Sequence, residues 1–100
     1  MNPRVFVDIN PRDLRLPTSR RAGADPYKLQ FQIARYGTST QGMPTLEVGR
    51  GSDGELVINS GVTRATRIAK LLPGTLVRAE VIDDLPIPVG GYPKVGDTVP

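Results

Sequence analysis

The sequence predicts a small α+β domain, a mixed sheet carrying two main helices, and three observations make the case. Apolar residues alternate near both ends of the body, in Val5, Val7, Ile9 and in Val77, Ala79, Val81, which is the period of a half-buried strand. Between them, Ala65, Ile68, Ala69 and Leu72 recur at the i, i+3, i+4, i+7 spacing of one helix face. Finally, Gly51-Ser52-Asp53-Gly54 separates two short apolar stretches with the residues that tight turns favour.

In chain order, Arg4 to Ile9 reads as a first strand that Asn10-Pro11 breaks. Arg12 to Ala24 holds Pro17, Thr18, Ser19, Arg20, Arg21 and Gly23 without a sustained apolar period, so it reads as a basic loop. Its arginines either guard a ligand or keep the loop wet. Asp25-Pro26, Tyr27 to Tyr36 and Gly37 supply an N-cap residue, a proline at the first helical position and a glycine stop. Tyr27, Leu29, Phe31 and Ile33 also alternate as a strand would, but Leu29, Ile33 and Tyr36 share a helical face, and helix is the expectation. Thr38 to Pro44 is a polar loop. Thr45 to Arg50 and Glu55 to Asn59 form the two arms of the hairpin, with Leu46, Val48, Leu56 and Ile58 toward the core. Val62 to Leu72 is the second helix, ended by Pro73-Gly74, and Thr75 to Ile82 is the last strand. After residue 82 the prolines and glycines predict an extended or partly disordered arm over residues 83–100, beside a folded domain of residues 1–82.

Composition narrows the chemistry. One hundred residues suffice for one domain with one core. There is no Cys and no His, which excludes disulfides, thiolate catalysis, Ser-His triads and zinc sites built on those residues. Aromatics make up only 5%, which argues against large stacking platforms. No apolar run reaches 18 residues and the first residues lack the apolar stretch of a signal peptide, so the chain reads as soluble, cytoplasmic unless exported as part of an effector, with no membrane partner. Residues 1–82 carry twelve basic against seven acidic residues, +5, while residues 83–100 carry −2. A basic body favours phosphate-bearing partners, although ordinary solvated ion pairs account for a bias of this size equally well.

The most informative stretch is Asn59 to Gly74. A strand runs through Ser60-Gly61 into a helix whose opening turns carry Arg64 and Arg67, where the macrodipole disfavours a cation by about 0.3–1 kcal/mol unless an anion offsets it. Orphan N–H groups at a helix start, a glycine permitting close approach, the hydroxyls of Ser60 and Thr63 and two guanidinium groups make a candidate phosphate site. Ser60 caps the helix or binds the anion. The competing reading has both arginines pairing with Glu47, Glu55 or Asp83-Asp84 and bracing the fold. For acid-base chemistry the candidates on strands are Asp8, Glu47, Glu55 and Glu80, none with a catalytic signature.

This order of elements and the Gly61-Val62-Thr63-Arg64 turn resemble the ParB N-terminal and sulfiredoxin-like superfamily over roughly Val5 to Ile82. The resemblance implies that Gly61, Arg64 and the helix start hold nucleotide phosphates, with Arg67 on the following helix. Sulfiredoxins carry Cys after the glycine, where this chain has Val62, so sulfiredoxin activity is not expected. Chromosome-partitioning proteins have a charged pair where Val62 and Thr63 stand, so operator binding is not expected. The missing histidine weakens a ParB-like nuclease mechanism. The Gly-Val-Thr-Arg-Ala-Thr-Arg variant is similar to small ParB-like domains at the ends of bacterial polymorphic toxins and effectors. The implied ligand set is Ser60, Gly61, Thr63, Arg64 and Arg67, for a nucleotide, alone or with Mg²⁺, or for nucleic acid. The alternative is a non-catalytic interaction module with a degenerate phosphate site, docking a protein partner through the arm.

Overall fold

A computed structural model describes residues 3–99; Met1, Asn2 and Pro100, the outermost residues of the two predicted segments, lie outside the described residues. Four strands form one mixed sheet: β1 (Val5–Ile9), β2 (Leu46–Arg50), β3 (Leu56–Ser60) and β4 (Val77–Asp84). Their spatial order is β1-β4-β2-β3, with β1/β4 and β2/β3 antiparallel and β4/β2 parallel. Two helices, α1 (Pro26–Tyr36) and α2 (Val62–Leu71), complete the α+β architecture.

Local chemistry explains these boundaries. The Asp25 carboxylate accepts hydrogen bonds from the N–H groups of Tyr27 (2.9 Å) and Lys28 (3.1 Å), satisfying two orphan donors at the start of α1. At its other end the Gly37 N–H closes the last turn on the Ile33 carbonyl. The hairpin turn is held by Gly51 N–H to the Glu55 carbonyl at 2.8 Å. The alternation in β4 buries Val77 and Ala79, which meet Leu46, Val48 and Ile58 from β2 and β3. Against that sheet α2 lays Ala65, Ile68 and Ala69, all buried. Helix α1 packs on α2 through a half-buried face and buries no residue completely.

Two predicted segments turn out differently. The stretch read as a basic loop places Leu14 and Leu16 fully inside the core. Between them, the Arg15 N–H donates to the Leu56 carbonyl (2.8 Å) and its carbonyl accepts from the Ile58 N–H (3.0 Å), so Arg15 extends the sheet beyond β3. The arm is not extended: it folds through turns at residues 89–92 and a short 3-10 helix at Val95–Asp97 and packs into the core. Val89, Val95 and Val99 are buried, and Leu16 and Val95 exchange backbone bonds with Pro93 and Leu14 across this same segment. Residues beyond 82 thus contribute side chains to the same core as residues 1–82, and β4 itself runs on to Asp84.

Candidate functional site

Gly61 is where the backbone turns from β3 into α2. Its φ of 114° and ψ of 24° lie in a left-handed region that a side chain resists. A Cβ there would also collide with Cδ2 of the buried Leu46 and stand 2.9 Å from Nη2 of Arg64. Only glycine fits. Because Gly61 occupies the cap position, no side chain caps α2, and Ser60 does not serve as the cap. The N–H groups of the first turn therefore have no side-chain acceptor at the positive end of the macrodipole.

The Arg64 side chain folds back over Gly61 toward this helix start, as the 2.9 Å approach of Nη2 indicates. Its Nε is buried without a hydrogen-bond partner. Among the described residues no carboxylate pairs with it: Glu55 is held by Arg15 at 2.7 Å and Asp84 by Arg50 at 4.0 Å. Two sources of positive potential, a guanidinium and a helix start, thus converge without an ion pair among the described residues.

Arg67 has a different fate. It is 1% exposed, and its Nη1 donates to the carbonyls of Gly37 (2.6 Å) and Ser39 (2.9 Å) while Nη2 approaches the Met43 sulfur at 3.6 Å. Its guanidinium also lies 5.5 Å from the Tyr36 ring centroid. The bracing half of the sequence expectation therefore holds for Arg67, but with carbonyls in place of carboxylates. It ties the loop after α1 to α2 and lines a small pocket of about 130 Å³, which Arg64 also borders, rather than the groove in front of Gly61.

That groove, about 840 Å³, is walled on one side by Asn59, Ser60, Gly61, Val62, Thr63 and Arg64 and on the other by α1 with Tyr27, Lys28, Phe31 and Gln32; Pro17, Ser19, Arg20 and Asp25 complete it. The structure thus brings Ser60, Gly61, Thr63 and Arg64 together and leaves Arg67 behind. Two wall residues escaped the sequence reading. Tyr27 and Phe31 are 84% and 71% exposed, four positions apart on α1, and form an aromatic surface that the low aromatic content argued against. The i, i+4 spacing, on the side of the helix away from Leu29, Ile33 and Tyr36, was the available signal.

None of the four carboxylates considered for acid-base work lines the groove. Glu80 is forked by Arg4 at 3.0 Å, and that hydrogen bond holds its carboxyl below the ordinary range. Glu55 is bound to Arg15, and Asp8 sits by Thr40 and Arg78 on another surface. Glu47, although the register partner of Ser60, does not reach the lining. The acid in the lining is Asp25, engaged in capping α1. Among the described residues no group of three Asp or Glu is placed to hold a metal ion, and no helix is long and apolar enough to cross a membrane. No family model, curated protein or solved structure matches the chain.

Proposed function

We propose that this is a phosphate-binding domain of the ParB and sulfiredoxin-like kind, holding a phosphate of a nucleotide or nucleic acid at Ser60, Gly61, Thr63 and Arg64. The observation that carries the reading is Arg64 lying over an uncapped helix start with no ion pair to a carboxylate among the described residues. An anion placed there meets free N–H groups, the macrodipole and a guanidinium together, which is the arrangement that phosphates favour. Arg67 acts at one remove, fixing the loop and helix that frame the site. The resemblance to domains at the ends of bacterial polymorphic toxins extends the proposal to an effector module acting on nucleotides or nucleic acid.

Calorimetric titration with nucleoside triphosphates and short DNA, at low salt with Mg²⁺ present, tests it. Saturable binding that Arg64→Ala weakens by about tenfold or more is expected, with Arg4→Ala, on the far edge of the sheet, as the silent control. Absence of binding to every phosphate-bearing probe overturns the reading. A second reading, docking of a protein partner without catalysis, draws on Ile87, 50% exposed in the arm. Deleting the arm would remove core valines, so Ile87→Asp is the cleaner probe; loss of association with Arg64→Ala silent would favour this second reading.

A further inference from the structure

Phosphate recognition at Gly61 leaves the opposite wall of the groove without a role. Helix α1 turns Leu29, Gln32 and Ile33 inward as a half-buried face, while Tyr27 and Phe31 are left almost entirely in water. Two large rings so exposed forgo burial that aromatic side chains ordinarily find, and both line the groove that Arg64 enters. Around them stand Arg20, Lys28 and Arg64, none of which joins an ion pair among the described residues. The lining acid, Asp25, spends its carboxylate on the α1 backbone.

Flat apolar faces beside uncompensated cations match one chemistry, bases on a phosphodiester chain. Four residues of helix rise about 6 Å, nearly twice the roughly 3.4 Å between neighbouring nucleotides of a duplex strand. Rings at that separation suit bases pulled apart from one another, and a duplex keeps its bases paired and stacked. We infer that the groove binds single-stranded nucleic acid, with bases stacked on Tyr27 and Phe31 and the backbone running past Arg20, Lys28 and Arg64. The inference rests on the phosphate reading above and adds to it a preference for unpaired strands over duplex and over mononucleotides.

The experiment uses the full chain and an oligothymidylate of about eight nucleotides, within the usual span of such sites, against the same length of duplex, thymidine monophosphate and inorganic pyrophosphate. The chain contains no Trp, so Phe31→Trp supplies a single fluorescence reporter at the platform. The single strand is expected to quench that reporter and to bind at least about tenfold more tightly than duplex. Tyr27→Ala and Phe31→Ala, both at exposed positions and checked by circular dichroism, are each expected to weaken it by about fivefold or more while leaving pyrophosphate binding unchanged. Equal binding of duplex or mononucleotide, or ring removal without effect while Arg64→Ala still abolishes binding, overturns the platform and spares the phosphate site. Failure of all four probes overturns both.

Discussion

Arg15 and Arg64 are arginines of the same small domain with opposite surroundings. Arg15, at the junction of β3 and the arm, has internal acceptors at all three nitrogens: Nη2 and Nε bond Glu55 at 2.7 and 3.2 Å, and Nη1 bonds the Tyr92 carbonyl at 3.0 Å. Arg64, at the start of α2, has none of these partners and sits where the helix already concentrates positive charge. A guanidinium that stabilises a fold is surrounded by internal acceptors; one held without them keeps its hydrogen-bonding capacity for something outside. Arg67 stands between the two: its Nε lacks a partner as that of Arg64 does, but its Nη1 is held by two carbonyls.

Four substitutions break or sharpen that contrast, beginning with the largest. Gly61→Ala forces a side chain into the left-handed turn and against Leu46, and is expected to cost about 2–4 kcal/mol, measured by urea unfolding. Arg15→Ala leaves Glu55 and the Tyr92 carbonyl without their donor and should cost about 1–3 kcal/mol in the same assay. Arg64→Ala is expected to behave oppositely, leaving stability unchanged or raising it by about 0.3–1 kcal/mol, because it removes an uncompensated cation from a helix start. A loss comparable to that of Arg15→Ala would show that Arg64 is a brace after all.

The smallest effect concerns acid. Asp53 joins the hairpin turn to the arm by accepting from the N–H groups of Gly90 (2.8 Å), Val89 (3.3 Å) and Glu55 (3.2 Å). Partial desolvation pushes its pKa up, but these donors outweigh it and hold the carboxyl below its ordinary 3.8. A depressed folded-state pKa gives stability that is present above the unfolded value and lost as pH falls through the folded one. Unfolding midpoints of Asp53→Asn should therefore fall less steeply than wild type below about pH 4. Parallel acid profiles would remove Asp53 from the docking of the arm.

Elements with their own end signals were legible in the sequence. Asp25-Pro26 and Gly37 bracket α1, the apolar spacing of Ala65, Ile68 and Ala69 marks α2, and the Gly-Ser-Asp-Gly turn marks the hairpin, because each depends on residues within a turn or two. Leu14 and Leu16 were not legible: two buried residues around one arginine make no period, and their burial depends on β3 and on residues 93–95 far along the chain. Val89, Val95 and Val99 were hidden likewise, among prolines and glycines that carry no apolar period and whose turns and short 3-10 helix are set by packing on distant residues. At the candidate site, the strand, glycine and helix order located the turn at Gly61 and the place of Arg64 in the first turn of α2. It could not separate Arg64 from Arg67, since only the tertiary position of the loop after Gly37 decides which guanidinium is enclosed.

The pairing of residues 14–16 with residues 93–95 joins segments roughly eighty positions apart. Such a closure is among the last contacts a chain can form, and distant pairings slow folding. Until the late partner arrives, Leu14 and Leu16 lack part of their cover, a state in which newly made protein is open to sticking or cleavage. The seam runs along β3, the strand that leads straight into the Gly61 turn, so closing it also fixes the strand on which that turn is carried.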